Sequence, residues 1–206
     1  MSGWHQSGNY IFFAYGKCGS TSLEHLHFNN VIRDYDPDCE LINNYLQDKN
    51  LNPVIFIREP MDRFFSGMFQ FIHAYSNRLN IQIPDTEKAW INVWEVILEL
   101  LNFDKGYPIF NDAESYHLQP YLKNLKNIQK DFAVVDTRHI TPYIKNVLGI
   151  NAPNMLNSAD RYSSDEYKIY KHQFRTSFYK NKYKDIVINW IQPEIDEYQK
   201  LLVEKG

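Results

Sequence analysis

The sequence predicts an α/β fold in three layers, a central parallel sheet with helices on both sides. Three observations carry that expectation. Apolar runs of strand length recur at Tyr10–Tyr15, Pro53–Ile57 and Phe132–Val135. Between and after them lie longer stretches whose apolar residues recur at helical spacing, so strands alternate with helices as in a parallel sheet. The strand ends then switch abruptly to Gly16, Arg58 and Asp136, and in such sheets ligands sit at the carboxyl ends of the strands. With 206 residues, 44% hydrophobic and 23% charged, the chain is expected to form one domain over residues 1–206 with a sizeable core.

Taken in order, residues 1–9 read as a loose lead-in. The strand at 10–15 passes through a tight turn into a helix from Ser20 to Asn29. Residues 30–52 read as short mixed elements, with Glu40–Lys49 helical. The strand at 53–57 enters a helix over Pro60–Tyr75, and proline is well tolerated at a helix start. Residues 77–86 form a loop, and Asp85 or Thr86 caps the next helix, Glu87–Phe103. Its Trp90, Val93, Trp94, Ile97, Leu98 and Leu101 recur at helical spacing and are assigned to the core. A strand at Phe132–Val135 ends at Asp136. The helix Thr141–Leu148 stops at Gly149, a good terminator. The stretch Ser164–Glu204 is mostly helical, with an interruption around Pro193.

Two of these strand ends carry anion-binding chemistry. In Gly16-Lys17-Cys18-Gly19-Ser20-Thr21-Ser22 the glycines allow a tight turn, and the hydroxyl residues open a helix. A helix start leaves backbone N–H groups unpaired and carries partial positive charge, so a phosphate fits there. Lys17 adds a full charge. In the second motif Arg58 leaves its strand and Ser66 follows eight residues later, a pair suited to clamp another phosphate through the planar guanidinium fork. Two phosphate grips in one chain point to a nucleotide phosphorylated at two distant positions.

Lys-x-Gly-Ser-Thr-Ser-Leu followed by Arg-Glu-Pro-x-x-Arg-x-x-Ser resembles the donor-binding signature of the sulfotransferases that use PAPS (3′-phosphoadenosine 5′-phosphosulfate), nearest to the carbohydrate sulfotransferases. The resemblance is specific over residues 10–70 and loose from there to the C-terminus. It implies a P-loop-like three-layer fold and a metal-independent transfer of a sulfuryl group from PAPS to an acceptor hydroxyl. It also implies that Lys17, Cys18, Gly19, Ser20, Thr21 and Ser22 hold the 5′-phosphosulfate, and that Arg58 and Ser66 hold the 3′-phosphate. Cys18 then contributes only its backbone N–H.

An acceptor hydroxyl must lose a proton, which calls for a general base, and histidine titrates closest to neutral pH. His117 is the first choice, because His117-Leu-Gln-Pro120 resembles the His–Pro stretch of carbohydrate sulfotransferases. In other branches of the family the base lies between the donor motifs, where Asp34, Asp36 and Glu40 are the candidates. His73 sits among Phe69 and Ile72 on a helix and reads as a packed, satisfied side chain. His25 and His27, two apart on a helix, do not share a face for a metal, and no Cys/His spacing suits a structural zinc.

Lys and Arg number 22 against 25 Asp and Glu, a net charge of −3. No overall basic field points to nucleic acid, so the expected partner is a small-molecule or carbohydrate acceptor. No apolar run approaches membrane-spanning length, so the chain is expected to be either a soluble cytoplasmic enzyme or one whose anchor has been removed. The two cysteines, Cys18 and Cys39, are expected as reduced thiols. Arg63 is assigned to tying loop backbone together. Lys168, Lys171, Arg175, Lys180, Lys182 and Lys184 are either a solvated helix face, the preferred reading, or a lid or track for an acidic polymer.

Two rivals remain at this point, a P-loop nucleotide hydrolase or kinase and a catalytically silent nucleotide-binding module of the same fold. The first is disfavoured because Ile11 stands six residues before Lys17 where a glycine is required, and Cys18 follows the lysine where Ser or Thr holds magnesium. The second is disfavoured by two intact donor motifs.

Overall fold

The computed structural model describes residues 3–14, 18, 30–32, 39–47, 50–76, 84–110, 118–149 and 165–206. Its strands are β1 (Gly3–Ser7), β2 (Tyr10–Ala14), β3 (Asn30–Ile32), β4 (Asn52–Ile57) and β5 (Ala133–Asp136). Its α-helices are α1 (Glu40–Gln47), α2 (Pro60–Tyr75), α3 (Glu87–Leu100), α4 (Ile140–Leu148), α5 (Asp165–Phe178) and α6 (Lys184–Lys205). The chain divides into two compact units. One comprises Met1–Pro60, Pro120–Arg161 and Glu194–Gly206, the other Met61–Gln119 and Tyr162–Pro193.

The first unit is an α/β structure built on a sheet of order β3-β1-β2-β4-β5. β2, β4 and β5 run parallel, with Ala14 opposite Phe56 and Ile57 opposite Asp136. β1 pairs antiparallel with both β2 and β3. The sheet is therefore mixed, which corrects the expectation of a parallel one. The cause is local: Gly8-Asn9 closes a two-residue turn between the paired Ser7 and Tyr10, with Gly8 at a φ of 55°. A side chain at that backbone angle would meet the carbonyl, so glycine opens the turn. Residues 3–7 are thus a strand rather than a loose lead-in.

Alternation along the strands explains why both faces are apolar. Ile11, Phe13, Ile55, Ile57 and Val134 pack with Ile42 and Leu46 of α1, with Leu122 and Leu125, and with Tyr198 and Leu201 of α6. Phe12, Ala14, Val54, Phe56 and Val135 pack instead with Ile140 and Ile144 of α4. A strand covered on both faces reads as an unbroken apolar run, as Val54–Ile57 does.

The second unit is helical and its core is aromatic. Trp94 stacks on Phe174 with ring centroids 4.4 Å apart and donates its indole N–H to the Phe174 carbonyl at 2.9 Å. Trp90, Trp94, Ile97, Leu98 and Leu101 are all buried, so the apolar stripe of α3 is core, with Val93 half-buried. Thr86 caps the helix, its hydroxyl accepting the Ala89 N–H at 3.3 Å. α3 stops at Leu100, short of Phe103, because Asn102 turns left-handed (φ 59°) before a 3₁₀ turn at Phe103–Lys105.

The break in the C-terminal helical stretch also differs from expectation. It falls between Phe178 and Lys184, while α6 continues through Pro193. Asn181 causes it: its side chain donates to the Phe178 carbonyl and accepts from the Tyr183 N–H, replacing helix bonds with local ones. Pro193 faces solvent, where water can take the carbonyl it leaves unpaired. No helix among the described residues is long and apolar enough to cross a membrane.

Candidate functional site

In the first unit the parallel register brings the carboxyl ends of β2, β4 and β5 to one edge of the sheet. Three segments of interest leave from that edge. The first contains Cys18, four residues beyond β2 and fully buried. Its Sγ lies 3.1 Å from the Tyr121 hydroxyl. Tyr121 is anchored in turn, since Oε1 of buried Glu194 accepts the backbone N–H groups of Tyr121 at 2.9 Å and Leu122 at 3.1 Å. The second segment begins with Arg58, half-buried and the first residue after β4.

Asp136 begins the third. Its carboxylate accepts the Arg138 backbone N–H at 2.7 Å, Arg138 Nε at 2.8 Å and Nη2 at 3.0 Å, and it also accepts the Tyr198 hydroxyl. Burial alone would raise the Asp136 carboxyl, but the bonds from Arg138 and Tyr198 outweigh it and hold the group below the usual carboxylate value. Burial, and then the bond to Asp136, push the Tyr198 phenol up. A carboxyl depressed by folding stabilises the fold above its unfolded pKa, about 3.9, and loses that contribution as pH falls through the folded value. Asp136→Asn is therefore expected to lower the melting temperature at pH 7, and the gap to the parent protein should shrink between pH 4 and pH 2. Calorimetric melts across that range check it; a gap independent of pH would refute the assignment.

No family model, curated protein or solved structure matches the chain.

Of the residues singled out from the sequence, Cys18, Arg58 and Asp136 stand at the same sheet edge. Lys17, Gly19, Ser20, Thr21, Ser22 and His117 lie outside the described residues, as do Asp34, Asp36, His25 and His27. Ser66 is half-buried on α2, in the second unit, and Glu40 is exposed in the first turn of α1. Arg63 ties backbone together as expected: buried, it donates to the carbonyls of Leu118 at 3.4 Å and Gln119 at 2.7 Å. Those are the residues directly after His117. His73 is on an exposed helix position, but its Nδ1 is 2.9 Å from the Phe69 carbonyl and its ring lies on Phe69, a satisfied side chain. Cys18 and Cys39 are not joined by a disulfide.

Of the cationic stretch, Lys168, Lys171 and Arg175 lie on α5, Lys180 and Lys182 in the turn after it, and Lys184 opens α6. Arg175 pairs with Asp62, Lys180 with Glu87, and Lys182 with Glu99 at 3.1 Å and Glu95 at 3.5 Å.

Tyr121, Glu194, Arg138 and Tyr198 were not legible as site neighbours. Glu194 and Tyr198 are four apart on α6 and so share a face, which the sequence shows. Their partners are 73 and 62 residues away, which it does not.

Proposed function

We propose that this chain is a PAPS-dependent sulfotransferase of P-loop-like, three-layer fold, moving a sulfuryl group from PAPS to a carbohydrate hydroxyl in the cytoplasm. The observation that supports it most is the pairing of β2 with β4, which sends the Cys18 segment and Arg58 off the same edge of neighbouring parallel strands. Strand spacing is about 4.8 Å, so a nucleotide carrying phosphates at both ends of its ribose can reach both segments. Cysteines not joined by a disulfide agree with a reducing compartment.

In this reading the loop amides and hydroxyls at Cys18–Ser22 hold the 5′-phosphosulfate, and Arg58 and Ser66 hold the 3′-phosphate. The acceptor oxygen bonds to sulfur as the bond from sulfur to the bridging phosphate oxygen breaks. Lys17 neutralises charge on that leaving oxygen, and His117 takes the acceptor proton. Most of the acceleration comes from positioning and charge neutralisation.

The test is calorimetric titration of the whole chain with 3′-phosphoadenosine 5′-phosphate in EDTA, with ADP and Arg58→Ala as controls. The expected result is metal-independent binding in the micromolar range, weakened at least tenfold by Arg58→Ala or by loss of the 3′-phosphate. Failure to bind, or a preference for ADP with magnesium, would reject the sulfotransferase reading in favour of a nucleotide hydrolase.

A further inference from the structure

We infer that Tyr121 is a positioning residue for the loop that follows β2, acting through Cys18, and that Glu194 holds Tyr121 in place; the consequence for donor binding rests on the function proposed above. The contacts form a continuous relay within the first unit. Cys18 is fully buried, Tyr121 2% exposed and Glu194 5% exposed. The Tyr121 hydroxyl meets Cys18 Sγ at 3.1 Å, and Glu194 Oε1 accepts the N–H groups of Tyr121 and Leu122 at 2.9 and 3.1 Å.

Each link has a physical reason. A buried carboxylate is costly unless donors surround it, and here two come from the start of the 3₁₀ turn Leu122–Asn127, where N–H groups lack intrahelical partners. Bonds from N–H to a charged oxygen are among the stronger ones, so Glu194 fixes the backbone from which the Tyr121 ring projects. The ring packs in the cluster of Ile11, Phe13 and Ile57. Phenylalanine would pack there as well; the hydroxyl adds the directional contact to sulfur. Consecutive Cα atoms are about 3.8 Å apart, so a fixed Cys18 constrains where Lys17 and Gly19 begin. A phosphate-binding loop must hold its donors to about 0.5 Å, and the relay supplies a rigid point inside it.

The test has one arm free of ligand. In a Cys39→Ser background Cys18 is the sole thiol, and its rate of reaction with a soluble maleimide reports opening of the segment. Tyr121→Phe is expected to raise that rate about fivefold, the equivalent of one lost hydrogen bond, with the melting temperature changed by less than about 4 °C. Glu194→Ala should raise it at least as much, and Glu194→Gln, which keeps an acceptor oxygen, should restore most of the protection. The second arm titrates 3′-phosphoadenosine 5′-phosphate and adenosine 3′-monophosphate. Tyr121→Phe should weaken the first about fivefold and leave the second unchanged, because only the first reaches the loop.

An unchanged labelling rate in Tyr121→Phe overturns the inference whatever the ligands do. A raised rate with equal losses for both probes overturns the link to the 5′-phosphate. A raised rate in a chain whose parent binds neither probe upholds the positioning role and rejects the donor-site reading, so the two failures are distinguishable.

Discussion

Under the proposed sulfotransferase function, Lys17→Ala is expected to lower the rate of sulfuryl transfer by about 10³-fold while weakening binding of 3′-phosphoadenosine 5′-phosphate by about tenfold or less. The asymmetry follows from when charge appears. Before reaction the bridging oxygen between phosphorus and sulfur shares its electrons with both. As the bond to sulfur breaks, negative charge accumulates on that oxygen, and a cation beside it gains interaction energy that the bound ground state does not offer. Single-turnover transfer from labelled PAPS to a carbohydrate acceptor, measured beside calorimetric binding, separates the two quantities. Equal losses in rate and affinity would make Lys17 a binding residue only. No loss in rate would mean that the chain is a silent module.

The second large effect concerns the helical unit. Trp94→Ala is expected to cost about 3–5 kcal/mol in urea unfolding. Trp94 is fully buried, and besides the stack on Phe174 its ring meets Phe178 edge-on at 5.1 Å and Phe64 at 6.2 Å. Alanine would leave a cavity walled by rings on helices that cannot all move inward. Trp94→Phe should cost less, about 1–2 kcal/mol. It keeps an aromatic ring and loses the indole N–H, while the Phe174 carbonyl still accepts from the Ser177 hydroxyl at 2.9 Å. A loss under about 1 kcal/mol for the alanine variant would show that the ring cluster collapses around the gap.

The elements read most accurately from sequence were those with strong local signals. α2 begins at Pro60 and ends at Tyr75 as expected, because a proline start and an apolar periodicity act within one helix. Gly149 terminates α4 at a φ of 62°, a position where glycine alone is free of a Cβ clash. The hairpin at Gly8-Asn9 carries an equally local signal, but Gly3–Ser7 holds a single large apolar side chain, Trp4, which gives no strand-like apolar run. It becomes a strand by pairing with β2 and β3, with Trp4 packed against Phe13, and pairing is invisible one strand at a time. Sequence alone points to Pro193 as the helix break, because proline is the strongest breaker in isolation. In the fold, Asn181 supplies a better local alternative to helix bonds, and packing on both sides carries α6 through the proline.

The sequence by itself determined the alternation of strands and helices, the three apolar runs, and the switch to Gly16, Arg58 and Asp136 at their ends. Those depend on residue-level chemistry: β-branched and aromatic runs, turn residues, and charges that stay out of a core. Tertiary structure alone decided that β1 and β3 pair antiparallel beside the parallel strands. It also decided that Cys18 meets Tyr121 across 103 residues, and that Glu194 and Tyr198 of one helix face hold the segments at Tyr121 and Asp136. Contacts of that range are selected by which surfaces bury one another when the whole chain closes, and no window of sequence contains both partners.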